Sequence, residues 1–316
     1  MASQMVKRPL VSVIIPAYNH EKFIGAAVDS VLAQSVADLE LIVVDDGSTD
    51  STGRIVQGYT DPRLRYYHQE NADAYNTINR GLGLATGRFV AILNSDDVYL
   101  PNRLERLLAA HEKSGAVCLF SDVIPIDDGG EVFADPQFGW NLWHRKNRDF
   151  YFACGDLYTA FLKGNFMVTT SNLFMTAAAA ERVGNFAPLR YLHDYDYIFR
   201  MMLAFPGGVS YLADMQLLQY RIHGGNTLGE AAIIGREQDQ QLISRYLRAK
   251  LPAEYHGYLQ AGTDRLIELG NELHEVRVLL SPGQPVGVRP ALATLLESLK
   301  VWIGKKTSGI GRGGRG

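Results

Sequence analysis

The feature that most constrains the fold is an apolar run at residues 89–93 that ends at two adjacent acids, Asp96 and Asp97. A short run of consecutive apolar residues between polar flanks is typical of a strand buried on both faces in a parallel sheet. The acids then lie at the carboxyl end of that strand, where open α/β sheets bind ligands. Adjacent carboxylates repel each other unless a cation neutralises them, so a divalent metal that in turn holds a diphosphate is one explanation. An Asp-rich turn before the next helix is the alternative.

A second strand pattern ends in the same way. Residues 39–44 are followed by Asp45 and Asp46. Strand and helix patterns alternate through residue 120, which predicts βαβ units and a mostly parallel sheet. The carboxyl ends of parallel strands meet at one edge, so both acid pairs are expected to face one crevice. Such a crevice is a binding site more often than a solvated surface.

Composition excludes several classes of protein. The 316 residues are 47% hydrophobic and 21% charged, as in ordinary globular proteins, and a net charge of −3 gives no general affinity for nucleic acid. Two cysteines do not make a disulfide framework, and we expect both to be reduced. The chain opens without a signal-peptide pattern and has no run of about 18 apolar residues. We therefore expect a cytoplasmic protein.

Three segments in order resemble the nucleotide site of family-2 glycosyltransferases. They are VSVIIPAYN at 11–19, LIVVDDGSTD at 41–50 and LNSDD at 93–97. The resemblance implies an α/β GT-A fold, which is Rossmann-like, with a mostly parallel sheet flanked by helices. The helical pattern after residue 227 adds a helical C-terminal appendage to this fold. The resemblance also implies an inverting, metal-dependent transferase that uses a nucleotide-sugar donor, with a UDP-sugar preferred.

The same resemblance implies roles for individual residues. Pro16 and Tyr18 would lie against the base and ribose, and Asp46 would accept a hydrogen bond from the base. Asp96 would contact the ribose. Asp97 would ligate the metal, Mn²⁺ or Mg²⁺, that bridges the diphosphate.

Residues 133–166 are rich in aromatic side chains and show weak periodicity. In the family this region builds the acceptor side, and aromatic faces are suited to stacking on sugar rings. Trp140 and Trp143 are therefore candidate acceptor-side residues. The alternative is that most of these aromatic side chains belong to the core.

The stretch LRYLHDYDYIFR at 189–200 resembles the family segment that carries an acidic pair. His193 occupies the position where the family usually has a glutamate. Asp194 aligns with the aspartate of the family's acidic pair and is therefore the candidate general base. A carboxylate in that role removes the proton from the attacking sugar hydroxyl. The alternative role for Asp194 is a helix N-cap. Asp196, two residues further on, is expected to point elsewhere and to serve a structural role.

His223 lies in QYRIHGGN at 219–226, a pattern in which the family's histidine helps to hold the metal or diphosphate. A structural histidine is the alternative.

The resemblance predicts a GT-A catalytic domain at 1–226. The helical pattern of the following residues predicts a helical region at 227–304, and the Gly- and Arg-rich composition of the last residues predicts a disordered basic tail at 305–316. Residues 288–306 form an amphipathic pattern that is expected to contact either a membrane surface or protein, including a second copy of the chain through the C-terminal helices. By family analogy the acceptor is a glycan or a lipid-linked molecule in cell-surface polysaccharide synthesis, and the enzyme works in the cytoplasm or at the inner face of the membrane.

Three other functions remain as alternatives. A non-catalytic protein that binds sugar nucleotides or acts as a scaffold would share the same donor motifs. A nicotinamide-dependent oxidoreductase would share the βαβ pattern, but no G-x-G-x-x-G follows the first strand. A nucleotidyltransferase would need a Gly-rich, basic triphosphate loop after that strand, and none is present.

Overall fold

The computed structural model describes residues 8–223 and 234–280. Within these residues, eight strands form one sheet with the order β3-β2-β1-β4-β7-β6-β8-β5. The strands are β1 (Val11–Ala17), β2 (Leu39–Asp45), β3 (Leu64–His68), β4 (Phe89–Ile92), β5 (Val98–Tyr99), β6 (Cys118–Ile126), β7 (Phe174–Thr176) and β8 (Val209–Arg221).

Helices connect and cover the strands. The described α-helices are α1 (Ile24–Leu32), α2 (Thr52–Gln57), α3 (Ala74–Leu84), α4 (Arg103–Ser114), α5 (Gly139–Cys154), α6 (Leu157–Lys163), α7 (Ala177–Val183), α8 (His193–Ala204), α9 (Ile234–Arg248) and α10 (His256–Leu280). Side chains alternate across the strands, so Val13 and Ile15 join the core under α1 and α4, whereas Ile14 joins the core under α3, α7 and α8. The sheet is therefore covered on both faces.

Strands β3, β2, β1 and β4 are parallel, as the alternating pattern predicts. Ala17 pairs with Asp45 and Ile14 pairs with Ile92, so β1, β2 and β4 end close together. Every residue of β2 is buried, which explains the apolar run at 41–44. This register brings the loops that follow β1, β2 and β4 to one edge of the sheet.

Beyond β4 the sheet is mixed. Strand β7 runs antiparallel to both β4 and β6, and β5 runs antiparallel to β8. Strand β7 is only three residues long, because a 3₁₀ turn at Thr170–Asn172 precedes it. The Asn172 side chain explains the turn: it donates to the carbonyls of Ser121 and Met167 and so competes with regular strand pairing.

The region 133–166 is more regular than its weak periodicity predicts, because it contains α5 and α6. Along α5 only His144 and Asn147 are fully buried. A helix that lies on the rim of a cleft has no continuous apolar stripe, so its amphipathic signal is weak.

Helix α9 packs against the catalytic core. Leu242 and Tyr246 are buried in the same apolar cluster as α6 and α8. The predicted domain boundary at 226, the amphipathic pattern at 288–306 and the basic tail at 305–316 lie outside the described residues. Among the helices that are described, none combines the length and the apolar character needed to cross a membrane.

Candidate active site

A cleft of about 1110 Å³ opens at the edge where β1, β2 and β4 end. It is large enough for a nucleotide sugar together with part of a second substrate. The structure brings most of the predicted site residues to its walls: Pro16, Tyr18, Asp46, Asp96, Trp143, Asp194 and His223. Asp97 and Trp140 do not line it.

Asp46 lies in one wall of the cleft and is nearly fully buried. Its Oδ1 atom accepts hydrogen bonds from Gln69 Nε2 at 2.6 Å and from the Ala72 backbone N–H at 2.9 Å. Gly47 has a φ of 80° and lies so close to Asn71 that a side chain would collide with its backbone. The chain can therefore fold tightly around Asp46 and hold its carboxylate in a fixed orientation.

The loop after β1 is tied to the loop after β2. Asn19 has a φ of 50°, and its Oδ1 atom accepts a hydrogen bond from the Thr49 backbone N–H at 2.8 Å. Its own backbone N–H donates to Ser48 Oγ at 3.0 Å. Tyr18 precedes it and is 47% exposed, so its ring face is accessible in the cleft.

Three side chains converge where the loops after β1 and β4 meet the end of β8. One potential ligand atom from each of His20, Asp96 and His223 lies within 4.8 Å of the other two. His223 Nε2 is 3.0 Å from Asp96 Oδ2, and His20 Nδ1 is 2.7 Å from Ser95 Oγ. His20 was missed by the sequence analysis, although it follows the strand-end loop directly. Burial lowers the pKa of His20, an effect that the nearby His223 adds to and Asp96 opposes. The ring is therefore neutral at pH 7, which is the form that ligates metals.

This cluster fits a divalent cation. The imidazoles of His20 and His223 and the carboxylate of Asp96 give three potential ligands and leave other positions open for oxygens of a substrate. Nitrogen ligands favour Mn²⁺ over Mg²⁺, because Mg²⁺ strongly prefers oxygen.

Asp97 occupies a different position from its neighbour. It is 1% exposed, and both carboxylate oxygens are engaged inside the protein. Ser171 Oγ donates to Oδ2 at 2.5 Å and the Arg221 backbone N–H donates to Oδ1 at 2.9 Å. Burial, with a smaller effect from the Asp96 charge, raises the pKa of Asp97 well above its ordinary value. Asp97 thus ties β4 to β8 and to the 3₁₀ turn, and its metal-binding role stays a prediction.

Asp194 lies across the cleft in the first turn of α8 and is 7% exposed. Its Oδ2 atom accepts a hydrogen bond from Asn165 Nδ2 at 3.1 Å, and Oδ1 accepts one from the Tyr195 backbone N–H at 2.7 Å. Leu192 occupies the N-cap position, so Asp194 does not cap the helix. Burial raises the pKa of Asp194, and the neighbouring His193 partly opposes the rise. A more basic carboxylate is a better proton acceptor.

Asp196 points away from the cleft, as its spacing from Asp194 predicts. It forms an ion pair with Arg200 at 2.7 Å and accepts a hydrogen bond from Tyr246 Oη at 2.6 Å. Its role is structural.

The predicted tryptophan pair is divided between the cleft and the protein body. Trp143 is 40% exposed and lines the cleft. Trp140 is half-buried and stacks on His144, with ring centroids 5.0 Å apart, and on Tyr220. Of the two, Trp143 is therefore the residue that a sugar in the cleft can reach.

Asp239, on α9, also lines the cleft and was missed by the sequence analysis. Burial and the charge of Asp194 together raise the pKa of Asp239 to about 6. One signal in the sequence points to it: Asp239, Leu242 and Tyr246 follow helical spacing, so an acid interrupts an apolar face. An acid on such a face is unusual, but the sequence alone does not say what it faces.

Comparisons with known proteins agree with this architecture. The profile of the family described as glycosyl transferase family 2 matches residues 12–170. An uncharacterised glycosyltransferase of Nostoc sp. is 31% identical over 235 residues, which cover 72% of this chain and 70% of that protein.

Two solved structures have a similar fold. Staphylococcus aureus TarS 1–349, in complex with UDP-GlcNAc, has a TM-score of 0.59 at 20% identity, over 80% of this chain and 71% of that one. The mannosyltransferase PcManGT of Pyrobaculum calidifontis, in complex with GDP-Man and Mn²⁺, has a TM-score of 0.58 at 19% identity, over 94% and 81% of the two chains. The predicted GT-A fold and glycosyltransferase activity are thereby confirmed. The chain belongs to glycosyl transferase family 2.

Proposed function

We propose that this protein is an inverting, metal-dependent glycosyltransferase that moves a sugar from a nucleoside-diphosphate donor, with UDP-sugars preferred, to an acceptor hydroxyl. The observation that carries the proposal is the layout of one cleft. The loops after β2 and β4 bring Asp46 and Asp96 to this cleft, and α8 brings the buried carboxylate of Asp194 to it.

The donor base would lie beside Asp46. The hydrogen bonds that Asp46 accepts within the described residues go to Oδ1. The other oxygen, Oδ2, is suited to the imide N–H of uracil. The ring of Tyr18 and the apolar Pro16 offer surfaces for the base and ribose. UDP-GlcNAc in the complex of TarS agrees with a uridine donor, whereas GDP-Man in the complex of PcManGT keeps guanosine as the competing choice.

Asp96, His223 and His20 would hold the metal. By family resemblance, Asp96 would also contact the ribose. A bound divalent cation would supply positive charge to the leaving diphosphate. Asp97 remains a possible ligand by family resemblance, but its internal hydrogen bonds favour Asp96.

Asp194 would act as the general base. It accepts the proton of the attacking hydroxyl as the acceptor oxygen bonds to the anomeric carbon. The bond from that carbon to the diphosphate oxygen breaks, and the nucleotide leaves with the electron pair. Attack from the side opposite the nucleotide inverts the anomeric centre. Asn165 would hold the carboxylate towards the cleft through its hydrogen bond to Oδ2.

The wider biological role follows from the family. We propose a glycan or lipid-linked acceptor in cell-surface polysaccharide synthesis, with Trp143 as a stacking surface for a sugar. A cytoplasmic location, peripheral membrane contact through 288–306 and homo-oligomerisation through the C-terminal helices stay predictions.

Proton NMR of donor hydrolysis tests the proposal without knowledge of the acceptor. The protein is incubated with UDP-glucose, UDP-GlcNAc or GDP-mannose, with and without Mn²⁺, and water serves as the acceptor. For the α-linked donors we expect Mn²⁺-dependent release of a sugar whose first-formed anomer is β. A first-formed α anomer would contradict inversion, and hydrolysis that does not depend on added metal after chelation would contradict metal dependence.

A further inference from the structure

Asp239 is a carboxylate in the cleft to which neither the family profile nor the family resemblance assigns a role. It belongs to α9, beyond the residues 12–170 that the family profile matches. It lines the same cleft as Asp194, although 45 positions separate the two residues in the sequence. The C-terminal appendage therefore contributes a side chain to the site.

Contacts with the catalytic core hold α9 in a defined position. Tyr246 Oη donates to Asp196 Oδ1 at 2.6 Å, and the Tyr246 carbonyl accepts a hydrogen bond from Tyr158 Oη at 2.8 Å. The Tyr246 ring stacks on Phe199 with centroids 4.3 Å apart, and Leu242 is 3% exposed. Phe199 and Asp196 both belong to α8, whose first turn carries Asp194.

The position of Asp239 follows from this packing. It lies two helical turns before Tyr246 on the same face of α9, roughly 10 Å along the helix axis. Tyr246 contacts the middle of α8, so Asp239 reaches the cleft at the N-terminal end of α8. This places two carboxylates on the acceptor side of the cleft.

Asp239 forms no hydrogen bond or ion pair with another residue in the described parts of the chain, although it is half-buried. A half-buried carboxylate beside a like charge is unfavourable for the fold alone. Leu242 and Tyr246 show that the same face of α9 accommodates apolar side chains. A carboxylate at this position is therefore better explained by a ligand that donates hydrogen bonds to it.

We propose that Asp239 positions the acceptor: it accepts a hydrogen bond from a second hydroxyl of a polyhydroxylated acceptor while Asp194 receives the proton of the attacking hydroxyl. This inference rests on the proposed function. Asp194 and Asp239 line one cleft and could each contact one of two hydroxyls on the same sugar ring. The exposed side chain of Trp143 in the same cleft is suited to stacking on the face of that ring. The acceptor class is thus a glycoside with free neighbouring hydroxyls.

The test measures nucleoside-diphosphate release from the nucleotide sugar that NMR identifies as the donor. The acceptor probes are octyl β-glucopyranoside and octyl β-galactopyranoside below their micelle concentrations, and 1-hexanol, which has a single hydroxyl. Release to water alone is measured in parallel. The variants are Asp239→Asn and, as a control, Gln241→Ala, since Gln241 is exposed on the same helix. Melting temperatures verify that each variant is folded.

In the wild-type protein we expect a glycoside to accelerate release more than 1-hexanol does. A hydrogen bond to a charged group affects binding by about 10- to 100-fold, so Asp239→Asn should lower kcat/KM for the glycoside by that factor. Release to water should stay within about twofold of wild type, because water offers no second hydroxyl to Asp239. Gln241→Ala should match the wild-type protein in both assays.

Three results would overturn the inference. In the first, Asp239→Asn keeps the wild-type kcat/KM for the glycoside. In the second, release to water falls by the same factor, so that Asp239 acts on the donor or on the fold. In the third, wild-type protein releases the nucleotide to water but no glycoside accelerates it, and the acceptor class is wrong. If the wild-type protein turns over no nucleotide sugar at all, the proposed function fails first, and the inference that depends on it fails with it.

Discussion

The two sides of the cleft are built in different ways. The proposed donor side comes mainly from loops at the ends of β1, β2 and β4, and most of its residues precede residue 98. The proposed acceptor side comes from helices α5, α8 and α9, whose cleft residues Trp143, Asp194 and Asp239 are far apart in the sequence. The donor side depends on local sequence, and the acceptor side depends on how helices pack.

The two sides also differ in how their acids are held. On the donor side, Asp46 accepts hydrogen bonds from a side chain and from the backbone, and Asp96 lies beside His223. On the acceptor side, burial raises the pKa of Asp194, and burial together with Asp194 raises the pKa of Asp239 to about 6. The donor side is suited to fixed binding, and the acceptor side is suited to proton transfer.

The largest effect is expected at the base. In Asp194→Asn the side chain keeps its shape but does not accept the proton, so turnover should fall by roughly 10²–10⁴ with nucleotide binding retained. Initial rates and nucleoside-diphosphate titration measure the two properties separately. Asp149→Asn, at an exposed position on α5, serves as the control. Near-wild-type turnover in Asp194→Asn would remove Asp194 from the role of base.

Asp96 and Asp97 test the donor side at neighbouring positions. Asp96→Ala should weaken Mn²⁺-dependent nucleotide binding by about 10- to 100-fold and change stability little, because it removes a proposed metal ligand. Asp97→Ala should lower the free energy of unfolding by about 2–4 kcal/mol, because it leaves the buried Ser171 hydroxyl and the Arg221 N–H without their acceptor.

Calorimetric titration of UDP with and without Mn²⁺, together with urea denaturation, measures both effects. If folded Asp97→Ala loses its response to Mn²⁺ while Asp96→Ala keeps it, the ligand is Asp97, as the family resemblance implies.

The pH dependence of stability tests the burial of Asp239 and its closeness to the charge of Asp194. The folded state raises the pKa of Asp239 from 3.8 to about 6, so folding favours its protonated form. The corresponding stabilisation is present below about pH 4 and is lost as pH rises through 6. Asp239→Asn should therefore become more stable than wild type as pH rises, by up to about 3 kcal/mol at pH 7.5.

Urea denaturation at pH 4 and pH 7.5 measures this difference. Asp149→Asn should show the same stability relative to wild type at both pH values. An Asp239→Asn curve that stays parallel to wild type would mean that neither burial nor the charge of Asp194 acts on Asp239 in the folded protein.

The smallest effect is expected at the contact that docks α9. Tyr246→Phe removes the hydrogen bond to Asp196 but keeps the ring stacked on Phe199. The free energy of unfolding should fall by about 0.5–1.5 kcal/mol. A matched control is Tyr258→Phe, because Tyr258 is 80% exposed on α10. Equal, negligible losses in the two variants would mean that α9 is not held to α8 in this way.

The difference between the two sides explains which features the sequence predicts. Asp46 and Asp96 could be predicted because a buried strand fixes where its last residue lies, and the parallel pattern brings such ends together. Whether Asp96 or Asp97 faces the cleft depends on the backbone of a single turn. That turn is fixed by Ser171 and Arg221, which come from later elements of the chain.

The acceptor side gives weaker signals. The family resemblance predicts that Asp194 occupies the position of the family's acidic residue. It does not predict that Asp239 reaches the cleft, because the position of Asp239 depends on the packing of Tyr246 against α8. Helix α5 escaped prediction because it lies on the rim and buries few of its side chains. The place of His20 in the cluster with Asp96 and His223 could not be predicted, because it depends on which loops meet at the cleft.

The most direct test of the account is a melting-temperature screen of the purified protein against UDP, GDP and NAD, each with and without Mn²⁺. A ligand that binds only the folded state stabilises it by mass action, by about 2.7 kcal/mol at one hundred times its Kd. The account predicts a rise with a nucleoside diphosphate, UDP above GDP, that is larger with Mn²⁺ than without it. No rise with either diphosphate, or a rise with NAD alone, would contradict a metal-assisted nucleotide-sugar site at this edge of the sheet.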